Sequence, residues 1–177
     1  MTNSPINVLL VEDSPEDCLF IQDHLELDPL TTFNITVVNR LAAGLQKLAV
    51  QRFDVVLLDL GLPDSQGLVT FQSLYNQYPL VPVVILSGLA DEDLAVVAVR
   101  AGAQDYIVKD AANLATLARS LRYAAERHQV QLKLRENEAR LKGFLDATPD
   151  AMVIVNQEGQ IILANTQTEK LFGYSQT

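Results

Sequence analysis

Apolar and polar positions alternate along this chain on two length scales. Three short runs, Ile6–Val11, 55–58 and 81–86, are apolar almost throughout, as suits strands buried on both faces. Phe33–Val38 is β-rich but less uniform, and 106–108 is a shorter run of the same kind. Between the runs, apolar residues recur every three or four positions: Cys18, Ile21, Leu25; Leu41, Leu45, Leu48; Leu68, Phe71, Leu74, Tyr78; Leu94, Val97, Ala101. That is the spacing of a helix with one buried face. Punctuation falls where the two patterns meet. Ser14-Pro15-Glu16-Asp17 reads as an N-cap, a first-turn proline and acids facing the helix dipole. Asp28-Pro29 stops that helix, Asn39 and Asp91 are placed to cap the second and fourth, 61–65 is a loop, and Gly102 closes the fourth helix.

Five strands alternating with five helices predict an α/β fold with a doubly wound, five-stranded parallel sheet. The expected order is the flavodoxin-like 2-1-3-4-5, whose switch point lies between strands one and three. In such a sheet all strand C-termini share one rim. Glu12 and Asp13, Asp59, Ser87 and Lys109 end strands one, three, four and five respectively. Three carboxylates brought together repel one another, and a divalent cation resolves the conflict. Hard oxygen ligands in a shallow, wet crevice favour Mg2+. A carboxylate beside such an ion is also a nucleophile toward phosphorus. The transferred group's equatorial oxygens then need charge and donors, which Lys109 and the Ser87 hydroxyl supply. Other phosphate chemistry fits less well. The turn after strand one is Glu-Asp-Ser-Pro-Glu-Asp rather than glycine-rich, which would repel a pyrophosphate, and there is no Gly-Lys-Ser/Thr loop. A haloacid-dehalogenase-type hydrolase usually carries a second Asp two residues after its nucleophile, where this chain has Gly61.

Composition narrows the classes further. Of 177 residues, 49% are hydrophobic, enough for a proper core. The net charge of −9 argues against nucleic-acid or anionic-membrane binding. Residues 126–142 depart from this, with 5 basic against 3 acidic side chains, which suggests a boundary. Cys18 is the only cysteine, so no internal disulfide forms, and it reads as a small apolar helix residue. No apolar run approaches the ~20 residues of a membrane helix and no signal peptide is evident, so the chain reads as cytoplasmic.

Residues 1–125 resemble the receiver domain of two-component response regulators. The likeness rests on Glu12-Asp13, Asp59, Leu62-Pro63-Asp64-x-x-Gly67, Ser87-Gly88, Ala101-Gly102-Ala103, Asp105-Tyr106 and Lys109. It implies that Asp59 accepts a phosphoryl group from a histidine kinase or phosphotransfer protein. It also implies that Asp13, Asp59 and the Gly61 carbonyl hold Mg2+, with Glu12 acting through water. Ser87 and Tyr106 would be the switch pair. The chain would then be a phosphoacceptor that promotes its own aspartyl phosphorylation and dephosphorylation, and not otherwise an enzyme. One position departs from the family: Asp110 follows Lys109 where proline is usual, so a trans peptide and a differently shaped loop are expected. The alternatives are a receiver-like interaction module that works without phosphorylation, and a small phosphohydrolase.

Helical spacing continues from Asn113 through Leu114, Leu117, Leu121, Ala125, His128 and Leu132, with helix formers to Leu145. That is longer than a helix covering a sheet needs, so 126–142 is expected to be a helical linker. A solvated single helix and a parallel coiled coil making a homodimer both fit, although Arg135 and Lys142 interrupt the seam. His128 is read as structural. Residues 143–177 resemble the opening of a PAS sensor domain. A hairpin is expected from 152–155 and 160–164, turned at Glu158-Gly159, then a helix from Thr168 and the Gly173-Tyr174 pattern. A whole PAS domain is about three times as long, so the sequence is expected to be the front of a longer signalling protein, with no ligand inferable.

Overall fold

The computed structural model describes residues 4–88, 92–110, 114 and 116–173. The chain divides into two compact units, Met1–Gln129 and Val130–Thr177. In the first, β1 (Ile6–Val11), β2 (Phe33–Val38), β3 (Val55–Asp59), β4 (Val83–Ser87) and β5 (Asp105–Val108) form one sheet. Its order is β2-β1-β3-β4-β5 and every pairing is parallel, as the alternating pattern predicted. Helices α1 (Pro15–Glu26), α2 (Leu41–Val50), α3 (Leu68–Gln77), α4 (Glu92–Arg100) and α5 (Leu117–Asp146) follow the strands in turn.

Because side chains alternate across a strand, the uniformly apolar runs feed two cores at once. Val8, Leu10, Val55, Leu57, Val84 and Leu86 meet Ile21 and Leu25 of α1 and Leu117 and Leu121 of α5. Their neighbours Leu9, Val11, Val56, Leu58, Val83 and Ile85 face Leu41, Phe71, Leu74 and Ala98 of α2, α3 and α4. With helices on both faces, all of β3 is buried, so Asp59 reaches the rim from the most enclosed strand. Leu114, Leu117, Leu121 and Ala125 are buried in this core, and His128, one turn on, is buried too. The helical spacing that suggested a dimer seam is therefore the face α5 lays on the sheet; only Leu132 of that series is exposed.

Local signals hold at most ends. Ser14 caps α1 through the Asp17 N–H, with Pro15 in the first turn. Gly102, at φ +111°, closes α4 where any Cβ would lie 2.7 Å from the Tyr75 ring. The expected caps at Asp91 and start at Asn113 lie outside the described residues. Asn39 does not cap α2. The N-cap is Arg40, without a side-chain bond, and the cap arrives from Asp64, far along the chain. Its Oδ1 accepts from the Leu41 N–H at 2.9 Å and its Oδ2 from the Ala42 N–H at 3.0 Å. The loop 61–65 also carries a small ladder, pairing Gly61–Leu62 with Ser65–Gln66.

This cap has a measurable consequence. The backbone donors, Ala42 first, hold the Asp64 carboxyl below the usual carboxylate range. Its stabilisation is thus present above the unfolded pKa and lost as pH falls through the lower folded value. Asp64→Ala should cost about 1 kcal/mol near neutral pH, at the modest end for caps because the site is exposed. Urea denaturation should show that gap closing as pH falls below the ordinary carboxylate range. A gap of equal size in acid would mean that the carboxylate is not what caps α2.

In the second unit, the hairpin of β6 (Val153–Val155) and β7 (Ile161–Ala164) precedes α6 (Thr166–Phe172). Asn165, which sequence reading passed over, ties this unit together. Buried, it donates to the Leu145 and Asp150 carbonyls at 3.0 and 2.9 Å and accepts from the Met152 and Thr168 N–H groups. Tyr174 lies outside the described residues.

Candidate functional site: an acidic rim with one lysine

The rim is assembled by strand ends. β1 delivers Glu12 and Asp13, and the adjacent β3 delivers Asp59. One carboxylate oxygen from each lies within 4.8 Å of the other two. Glu12 and Asp59 are buried and Asp13 is exposed. Ser87 ends β4, buried, and Lys109 follows β5, where its N–H donates to the Ser87 carbonyl at 2.8 Å. Gly61 donates its N–H to Asp59 Oδ2 at 3.1 Å, and a Cβ there would sit 3.2 Å from that oxygen. All the sequence-predicted groups except Tyr106 therefore gather at one edge. Tyr106 lies on β5, half-buried against the core face shared with α4.

Lys109 holds this edge together. Its Nζ lies 2.6 Å from Glu12 Oε2, 3.2 Å from Asp59 Oδ1 and 2.9 Å from Asp17 Oδ2. The Asp17 contact was not foreseen: 92 residues separate the two, and Asp17 had a sufficient role as a dipole acid in α1. Burial pushes the Glu12 carboxyl up from its ordinary value, the Asp59 charge adds to this, and Lys109 pulls the other way. Burial likewise disfavours the Lys109 ammonium, but its contacts to Glu12, Asp17 and Asp59 outweigh that and hold its pKa above the ordinary lysine value. Glu12 Oε1 accepts from the Ser14 N–H at 3.1 Å. Oε2 is buried with no well-directed hydrogen bond, only the ion pair.

These residues suit a hard divalent cation. Mg2+ takes oxygen ligands at 2.0–2.1 Å, which places neighbouring ligands about 3–4 Å apart. The three oxygens need only close slightly from their present spacing, and Glu12 Oε2 has acceptor capacity left over. Beside them a cleft of about 500 Å³ is lined by Asp59, Gly61, Gly67, Ser87, Gly88 and Lys109. Gly67, at φ +68°, turns the chain there into α3 and donates its N–H to the Leu60 carbonyl. Cys18 is no part of this chemistry: its thiol points at the Glu12 carbonyl at 3.7 Å, and burial with nearby acids raises its pKa. The departure at Asp110 also has a local reason. Its N–H donates to the Val108 carbonyl at 2.8 Å, a bond proline cannot make, and no peptide among the described residues is cis.

Comparison with known proteins agrees with this geometry. The family model "Response regulator receiver domain" matches residues 8–122, and "PAS domain" matches 139–177. The chain is 37% identical over 122 residues to the KDP operon transcriptional regulatory protein KdpE of Escherichia coli, covering 69% of this chain and 52% of that protein. It is 28% identical to the transcriptional regulatory protein ZraR of the same organism, over all of this chain and 39% of ZraR. It thus spans about half, or less, of the length of these curated relatives. The signal receiver domain of an HD domain-containing protein from Pseudomonas fluorescens superposes with a TM-score of 0.60 at 25% identity, covering 71% of this chain and 98% of its own length. Among the described residues no helix is long and apolar enough to cross a membrane. Its sheet order, its rim of acids and lysine, and a family match across more than half of its residues place this chain in the response regulator receiver family.

Proposed function

We propose that this chain is a phosphorylatable receiver of a two-component phosphorelay, acting in the cytoplasm and taking its phosphoryl group on Asp59 from a histidine kinase or phosphotransfer protein. The observation that carries this reading is the meeting of three carboxylates with one lysine, beside an open cleft, at the C-terminal edge of the sheet. A carboxylate oxygen of Asp59 attacks phosphorus, a new P–O bond forms, and the bond to the donor breaks with its electron pair leaving on the donor. The Gly61 N–H fixes the carboxylate's other oxygen, which orients the nucleophile. Lys109, already 3.2 Å from Asp59, neutralises the oxygens of the incoming group, and the Ser87 hydroxyl lies on the same cleft wall. Asp13, Asp59 and the Gly61 carbonyl would hold Mg2+, with Glu12 acting through water, and the ion would supply charge neutralisation for the transferring group. Hydrolysis of the acyl phosphate by the same groups would reset the domain.

Ser87 and Tyr106 would report the new charge. They lie on neighbouring strands β4 and β5, and β5 leads directly to Lys109. From there α5 is the route to the output: Asp105, next to Tyr106, accepts a 2.6 Å hydrogen bond from the Ser120 hydroxyl of α5.

The test is direct. Incubation with Mg2+ and a small acyl-phosphate donor should add one phosphoryl mass to the wild type and none to Asp59→Asn. Equal labelling of both would overturn Asp59 as the acceptor, and labelling of neither would favour the interaction module that works without phosphorylation. Sustained turnover of free phosphate esters would point to the phosphohydrolase.

A further inference from the structure

We infer that Asp17 is a positioning residue for Lys109, holding its ammonium partly off Asp59 and so slowing phosphoryl transfer while favouring the metal ion. The inference deepens the phosphoacceptor reading and rests on it. Lysine has three N–H donors, and here three carboxylates surround them. The contact to the nucleophile is the longest: Asp59 Oδ1 stands 3.2 Å from Nζ, against 2.9 Å for Asp17 Oδ2 and 2.6 Å for Glu12 Oε2. Direction also favours Asp17. Its contact has the alignment of a hydrogen bond, whereas Glu12 Oε2 is left with none. Both backbones are pinned, Asp17 by its N–H to the Ser14 hydroxyl and Lys109 by its N–H to the Ser87 carbonyl. The first turn of α1 therefore draws the ammonium away from the nucleophile.

Among the described residues that line the cleft, Lys109 is one and Asp17 is not, so Asp17 reaches the reaction only through the ammonium. As Asp59 forms its P–O bond and the donor's carboxylate leaves with the electron pair, Lys109 must turn an N–H to the phosphoryl oxygens. One of its three partners has to yield. The Glu12 and Asp59 side chains are only 1% and 9% exposed, so water cannot replace the lysine there. The Asp17 side chain is 40% exposed and returns to water readily. Releasing it is still a step that the transfer must include, and a neutral side chain at this position removes it. The same carboxylate acts oppositely on a cation. By sharing the Lys109 charge, it leaves Glu12, Asp13 and Asp59 more negative toward Mg2+. Asp17 therefore favours the metal and retards the transfer.

With Mg2+ saturating, full-chain Asp17→Asn should take label from acetyl phosphate about three- to fivefold faster than the wild type, the scale of one partly exposed ion pair. Its Mg2+ dissociation constant, measured by titration calorimetry without donor, should rise by a similar factor. A merely loosened α1 would slow labelling and weaken Mg2+ binding together, so faster labelling with weaker binding marks positioning. Glu16→Gln removes the same charge from the same turn, at an exposed site. Its effects should be small and should vanish at about 1 M salt, where the screening length is about 3 Å, while those of Asp17→Asn persist. An Asp17→Asn variant that binds Mg2+ as tightly as the wild type overturns the inference, as does a gain in rate that Glu16→Gln matches at high salt. A wild type that takes no label brings down the phosphoacceptor reading and this inference with it. A wild type that labels while Asp17→Asn labels no faster brings down this inference alone.

Discussion

Lys109→Met is expected to lower the unfolding free energy by about 3–5 kcal/mol at neutral pH, the range for stripping one partner from a buried ion pair. Methionine keeps the apolar stem and removes only the ammonium that lies between Glu12, Asp17 and Asp59. Glu12 then remains buried beside Asp59 with no compensating charge, and Oε2 has no hydrogen bond to fall back on. Its response sets the pH dependence. Burial already raises the Glu12 pKa, and Lys109 opposes that, so removing the lysine raises it further. A carboxyl whose folded pKa lies above the unfolded one costs stability at high pH, and the cost fades as pH falls through the raised value. The deficit of Lys109→Met should therefore be largest at neutral and alkaline pH and narrow in acid. In the wild type, Lys109 is the opposite case. Its raised pKa contributes stability that is complete below the unfolded lysine value and lost only as pH rises through the folded one. Adding Glu12→Gln to Lys109→Met should recover most of the loss, because neutralising both partners removes the stranded charge. Denaturant titrations of the four proteins at several pH values complete the cycle. A loss that is flat with pH, or that Glu12→Gln deepens, would show that Lys109 stabilises through its stem and not its charge.

What the sequence yielded, and what it withheld, follows the range over which each interaction acts. The strand Val55–Asp59 was legible because burial on both faces leaves an unbroken apolar run, and its acid ending was conspicuous for that reason. The Ser14 cap was legible because donor and acceptor lie three residues apart. The rim followed from topology, since a parallel sheet gathers its strand ends whatever lies between them. By contrast, the Asp64 cap on α2 and the Asp17 contact with Lys109 join residues 22 or more positions apart. In both cases a nearer candidate, Asn39 for the cap and the helix dipole for Asp17, already accounted for the residue. The tail shows a different limit. Spacing identifies the face of a helix that is apolar but not what covers it. Leu114 through Ala125 proved to face the sheet, and the exposed row from Val130 to Phe144 became distinct only once burial removed the first. Asn165 escaped notice because a buried asparagine with several partners has no periodicity.

Mg2+ is expected to stabilise the wild type by about 2.7 kcal/mol when supplied at a hundred times its dissociation constant, through mass action on the folded state alone. The basis is geometric. The folded chain holds three carboxylate oxygens within 4.8 Å, while the unfolded chain disperses them and binds the ion weakly. For a receiver of this size such a gain corresponds to a rise in melting temperature of roughly 5–15 °C. Asp13→Asn should split the effect into two parts of opposite sign. It removes a metal ligand, so the Mg2+-dependent rise should shrink to a small fraction. It also removes one of three neighbouring negative charges, so without Mg2+ the variant should melt slightly above the wild type. That second effect is small, no more than about 1 kcal/mol, because Asp13 is exposed and its repulsion is screened by water and salt. It should shrink further as ionic strength rises, whereas the loss of the Mg2+ response should persist. Melting curves of both proteins with chelator and with Mg2+, at low and high salt, separate the two. If the chelated variant melts below the chelated wild type, Asp13 is held by favourable contacts and the three acids do not strain against one another. A variant that keeps the full Mg2+ response would place the ion elsewhere.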